Sequence, residues 1–156
     1  MSDISTLKEK INTKTFHLFL LGLATGGLYL NIWLYKTFNA LEEVTRIKTM
    51  STTFLVWYLI IIGVVGNLST VNHPYTLIAS GILLLLLMLL SLLWCFRARR
   101  VLRAYALAEH NFELRMSLVY TGLFGFYYVN YCINALPRAK QKHEDKKRLM
   151  SHSVQV

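Results

Sequence analysis

Apolar and polar positions fall along this chain in blocks rather than singly. Residues 1–14 are polar and mixed in charge. An apolar stretch follows from about Phe16 to Tyr35, interrupted by Thr25-Gly26-Gly27. Over residues 36–50 the apolar positions Phe38, Leu41, Val44 and Ile47 recur at every third residue, with Glu42 and Arg46 four apart on another face. That spacing predicts an amphipathic helix lying at a membrane surface. From Thr49 to Phe96, 48 consecutive residues contain no Asp, Glu, Lys or Arg. Two apolar segments occupy this block, about 53–71 and 76–96. They are split at Asn72-His73-Pro74, where proline turns the preceding residue away from helical geometry. Residues 97–115 are amphipathic again, with Val101, Tyr105, Ala108 and Phe112 on one face and Arg99, Arg103, His110 and Glu113 on another. A fourth apolar segment, about 116–136, contains Gly122 and Gly125. It is expected to stop at Pro137, before a basic tail over 138–156 that reads as flexible.

Block length decides the class. A hydrocarbon core of about 30 Å needs roughly 20 helical residues, and the central block supplies two such stretches. A water-soluble fold would have to cover the run Leu83-Leu84-Leu85-Leu86-Leu87-Met88-Leu89-Leu90. Composition agrees: 54% of residues are apolar and 16% charged, where globular domains carry roughly 25% charged residues. The expected fold is an all-α integral membrane protein with a polar lead over 1–15 and a single membrane domain over 16–137. Within that domain a central transmembrane hairpin is flanked by two glycine-broken apolar segments, re-entrant or full spans, and by the two surface helices. The N-terminus lacks the basic start and small-residue cleavage site of a signal peptide, so the first apolar segment is expected to be retained.

An internal repeat links the flanking segments. Gly27-Leu28-Tyr29 through Asn39-Ala40-Leu41 aligns without gaps to Gly122-Leu123-Phe124 through Asn134-Ala135-Leu136, at a constant offset of 95, with five of fifteen positions identical. Glycine, aromatics four apart and Asn-Ala-Leu make up the shared pattern. Glycines inside an apolar stretch let a chain turn back, as re-entrant segments do when protein covers the freed backbone groups.

Charge then weighs re-entrant against spanning. The 17 Lys and Arg residues number three before the first apolar segment, three between the first and second, none in the central turn, five between the third and fourth, and six after the fourth. Four full crossings would divide them nine to eight, whereas crossing by the central hairpin alone puts all 17 on one face. The positive-inside rule favours the hairpin with cytoplasmic ends. Four full spans compete, as does an antiparallel dimer inserted in both orientations. The net charge of +9 belongs to membrane edges and anionic lipid headgroups, since no nucleic-acid motif accompanies it. Arg97, Arg99, Arg100 and Arg103 are the expected headgroup contacts.

Catalytic chemistry finds no foothold. All eight acidic residues, Asp3, Glu9, Glu42, Glu43, Glu109, Glu113, Glu144 and Asp145, lie outside the four apolar segments, which disfavours a proton or cation path. The five histidines lack metal-binding spacing, and Cys95 and Cys132 form no disulfide framework. No catalytic, cofactor-binding or metal residue is therefore assigned, and no cofactor is expected. Polar groups on the flanking segments remain. Asn31, Asn39, Asn130 and Asn134 carry amides that would be destabilising unpaired in lipid. With Tyr127 and Tyr131 they either make helix contacts or line a polar groove. Gly26, Gly27, Gly122 and Gly125 are the expected helix breaks.

Thr25-Gly26-Gly27-Leu28-Tyr29, then Ile32-Trp33-Leu34-Tyr35-Lys36, then Asn39 and Leu41, with a second Asn134-Ala135-Leu136 near the far end, resembles a bacterial membrane family catalogued as domain of unknown function 4234. The resemblance covers about residues 16–137, with Leu28 where isoleucine is typical. It implies a multi-pass protein of the bacterial cytoplasmic (inner) membrane and carries no reaction. The expected function is that of a non-enzymatic accessory or scaffold component engaging lipid or a membrane partner, a larger complex or a homo-oligomer. The alternative is a small transporter or lipid-handling protein using the pseudo-symmetric glycine-rich segments.

Overall fold

In the computed structural model, which describes residues 4–71 and 73–153, every element of regular structure is an α-helix. Six follow one another: α1 (Ile4–Ile11), α2 (Thr15–Ala24), α3 (Leu28–Thr45), α4 (Thr52–Leu68), α5 (Pro74–His110) and α6 (Leu118–Ser153). Asn72, of the expected central turn, lies outside the described residues. His73 caps α5, its ring accepting from the Tyr75 amide at 3.4 Å, and Pro74 opens the helix where an N–H would have no partner.

The break at Thr25-Gly26-Gly27 is a Schellman ending. The Gly27 amide donates to the Gly22 carbonyl at 2.8 Å and the Gly26 amide to Leu23 at 3.2 Å. Gly26 sits at φ 58° and Gly27 at φ 90°, conformations open to glycine at little cost. The Thr25 hydroxyl stitches the corner, donating to the Leu21 carbonyl at 2.6 Å and accepting from the Tyr29 amide at 3.0 Å. The second break falls elsewhere than expected. Gly122 is helical, and the chain kinks at Gly125 (φ 45°, ψ −117°). The two breaks are therefore out of step with the sequence repeat, which pairs Gly27 with Gly122.

Neither expected surface helix is a separate element. Residues 36–45 continue α3 from Leu28, and residues 97–110 continue α5. The reason is that nothing stops the helix at the polarity change: Tyr35-Lys36-Thr37 and Phe96-Arg97-Ala98 contain no glycine or proline. Pro137 likewise does not end the fourth segment. Its helix runs on through a tail of helix formers, with Lys140 and Glu144 paired at 3.9 Å. The polar lead is also structured, because Ile4, Leu7 and Ile11 form one buried face of α1 against α3 and α6.

Both flanking segments return to where they started. Lys10, before the first segment, pairs with Glu43, after it. Trp33 on α3 and the Thr13–Thr15 stretch leading into α2 both reach Asn130. On the other side, Phe112 before the fourth segment packs its ring 6.2 Å from His143 after it, and the Ser117 amide donates to the Tyr128 hydroxyl at 3.0 Å across the kink.

The core gathers where these returning ends meet the middle of α5. Trp33, Trp94 and Phe126 form a three-ring cluster with centroids 5.8 to 6.1 Å apart. Leu41, Ala98, Leu102, Ile133 and Leu136 extend it, all at 0% exposure. Beyond this core α5 stands largely bare. Only 11% of its most apolar 18-residue window is buried, the reverse of a core helix in a soluble domain. Leu77, Ile78, Ile82, Leu84, Leu85, Met88 and Leu89 are exposed on it, and Val56, Trp57, Leu59 and Ile60 on α4 beside it. α5 is the one described helix long and apolar enough to cross a membrane. α4, with 17 residues, is apolar but about 25 Å long at 1.5 Å per residue.

Candidate functional site

Asn130 is the hub of the molecule's polar interior. It is fully buried, and α6 carries it to the level at which α2 begins and α3 passes. Its Oδ1 accepts from the Trp33 indole at 3.2 Å. Its Nδ2 donates to the Thr13 carbonyl at 2.9 Å and to the Thr15 hydroxyl at 3.2 Å. Asn134, one turn on, donates to the same Thr13 carbonyl and to the Asn130 carbonyl, both at 3.0 Å. The Thr13 hydroxyl in turn donates to Ile11 at 3.0 Å. One side-chain amide thus ties three helices to the α1–α2 connection, and both ends of that amide are used.

The other residues of the expected groove are dispersed. Tyr127 packs edge-on to Phe19, with ring centroids 5.8 Å apart; a Cβ added at Gly22 would stand 3.2 Å from its hydroxyl. Gly22 therefore lets α2 approach α6 closely. Asn31 donates at 3.4 Å to Gly27 within its own helix, and Asn39 is exposed. Neither joins the Asn130 cluster among the described hydrogen bonds. Tyr131 is 59% exposed and, with Thr15 and Asn134, borders an open cleft of about 480 Å³.

Three of the four arginines expected at headgroups bond to protein. Arg99 donates from Nε and Nη2 to the Met116 carbonyl at 3.0 and 2.8 Å, pinning the connection between α5 and α6. Arg103 meets Glu113 at 3.1 Å, and Arg97 reaches the Thr49 carbonyl at 3.4 Å. Arg100 is exposed. These arginines hold the loops that return the chain to α5. Thr13 and Trp94, both central here, carry no signal in sequence: one contributes a main-chain carbonyl, the other sits inside an uninterrupted apolar run.

Comparison of the chain with models of protein families, with curated proteins and with solved structures finds no match in any of the three.

Proposed function

We propose that this chain is a small, non-enzymatic integral component of a bacterial cytoplasmic membrane, anchored by the α4–α5 hairpin and presenting its folded base to lipid and to a membrane partner on the cytoplasmic side. The observation that carries the reading is the apolar surface left exposed on α4 and on the first half of α5, where only 11% of the most apolar window is buried. Soluble monomers rarely leave an apolar surface of that extent in water. The returning ends of both flanking segments support re-entrant insertion into one leaflet over four full crossings. Lys10 and Glu43 could not pair across about 30 Å of hydrocarbon. With those segments re-entrant, all 17 cations fall on one face. The hydrogen bonds that saturate Asn130 favour an architectural role for the buried amides over a substrate groove.

Single cysteines at Asn12, Met50, Asn72, Ala108 and Asp145, reacted with an impermeant maleimide in oriented cells, test the topology. Only position 72 is expected to label from outside. Labelling of positions 12 and 145 together with 72 would establish four spans instead. The native Cys95 and Cys132, at 1% and 6% exposure, are expected to stay silent until the protein is denatured.

A further inference from the structure

The cleft beside the Asn130 hub has a composition the polar interior does not need. Lys8 on α1, Lys14 at the start of α2, and Arg138 and Lys142 on α6 line it together with Thr15, Tyr131 and Asn134. No carboxylate lines it, and none of the four cations takes part in a described ion pair. The two pairs come from opposite ends of the chain. Like charges brought together repel unless something neutralises them. The start of α2 opens here without a side-chain cap, adding the positive end of that helix dipole to the same field.

The surroundings say which anion fits. Immediately beyond Lys14 and Thr15, α2 turns outward-facing and apolar: Phe16 is 68% exposed, Phe19 46% and Leu23 66%. Cationic cleft and bare apolar ridge thus lie end to end, over a helix of about 15 Å, half the depth of a hydrocarbon core. A free phosphate would use only the first of these features. A phospholipid uses both, its phosphate in the cleft and its acyl chains along the ridge. Basic pockets between membrane helices on the cytoplasmic side recognise headgroups by the same chemistry.

We propose that the cleft formed by Lys8, Lys14, Arg138 and Lys142 is a binding site for the phosphate headgroup of an anionic phospholipid, whose chains lie against Phe16, Phe19 and Leu23. The inference rests on the membrane reading above and deepens it. The lipid then clamps α1 and α2 to α6, doing from outside what Asn130 does from within.

The test is native mass spectrometry of the delipidated full chain in detergent, titrated with dioleoyl phosphatidylglycerol or dioleoyl phosphatidylcholine. The cleft variant Lys8→Gln, Lys14→Gln, Arg138→Gln, Lys142→Gln is compared with a charge-matched control, Lys36→Gln, Arg46→Gln, Lys48→Gln, Lys147→Gln, whose positions lie outside the cleft. The expected result is at least tenfold preference for the glycerol headgroup, retained by the control and lost by the cleft variant at unchanged helicity. The variant Lys8→Arg, Lys14→Arg, Lys142→Arg should keep the preference. Equal affinity for the two lipids, or equal loss in both variants, overturns the site. Displacement of phosphatidylglycerol by an equal concentration of inorganic phosphate overturns the lipid as its source. Alkaline carbonate extraction of native membranes keeps the two claims apart. Release of the wild-type chain refutes the membrane reading, whereas a retained chain without lipid preference refutes only this one.

Discussion

Asn130 shows how far a single amide can organise a small fold. Replacing it by alanine would strip the Thr13 carbonyl of one donor and the buried Trp33 indole of its acceptor, in a region closed to water. Buried polar groups left unpaired cost about 1–3 kcal/mol each. Asn130→Ala should therefore destabilise the detergent-solubilised protein by about 3 kcal/mol. Asn134→Ala should cost about 1 kcal/mol or less, because Thr13 keeps its bond from Asn130. Thermal melts of both variants check this ranking, and equal losses would mean that the two amides share the load. Both asparagines are legible in the sequence as groups that need partners in an apolar segment. The partner is not: it is a main-chain carbonyl 117 residues away, and any residue at position 13 would offer one.

At the scale of the element, the breaks distinguish glycines that look alike in sequence. Gly26 (φ 58°) and Gly125 (φ 45°, ψ −117°) occupy backbone conformations that L-residues avoid, while Gly122 is helical, and a Cβ added there would meet only the Phe96 ring, at 3.8 Å. Gly26→Ala should cost about 1–2 kcal/mol and Gly125→Ala up to about 3 kcal/mol. Gly122→Ala should be neutral or stabilise by about 0.5–1 kcal/mol through reduced chain entropy. Denaturant titrations of the three variants check the order; a loss at Gly122 equal to that at Gly125 would contradict the kink's position. The first break is readable because two adjacent glycines follow a threonine that can bond back along the helix. The second is not, since Gly122 and Gly125 differ only in what surrounds them. Helix ends at 35 and 96 fail for a related reason. They rest on a change of polarity, and polarity governs what covers a helix rather than whether its hydrogen bonds continue. The left-handed ends at Asn12 and Asn111 suit asparagine, whereas Arg46 at φ 56° carries no such signal.

For the whole molecule, the all-helical fold and a long apolar helix inside the charge-free block are legible in the sequence. The cation count and the mid-segment glycines favour flanking segments that turn back, but the residues that meet across each return, Lys10 with Glu43 and Phe112 with His143, are not legible. The medium around α5 is then open to a direct contrast. Leu85 and Leu107 lie on this one helix, and at 56% and 60% exposure they are equally free of protein contacts by that measure. In water an arginine at either site would shift stability by no more than about 0.5 kcal/mol. In a bilayer the sites part company. Leu85 lies mid-way through the apolar segment 76–96, where arginine costs about 2.5–3.5 kcal/mol of insertion free energy, and Leu107 lies beyond Arg103, outside it. Leu85→Arg should therefore lower the carbonate-resistant fraction in native membranes several-fold, and Leu107→Arg should leave it unchanged. If both variants stay as wild type, the bare face of α5 is not facing lipid, and a protein partner covering it becomes the better account of its exposure.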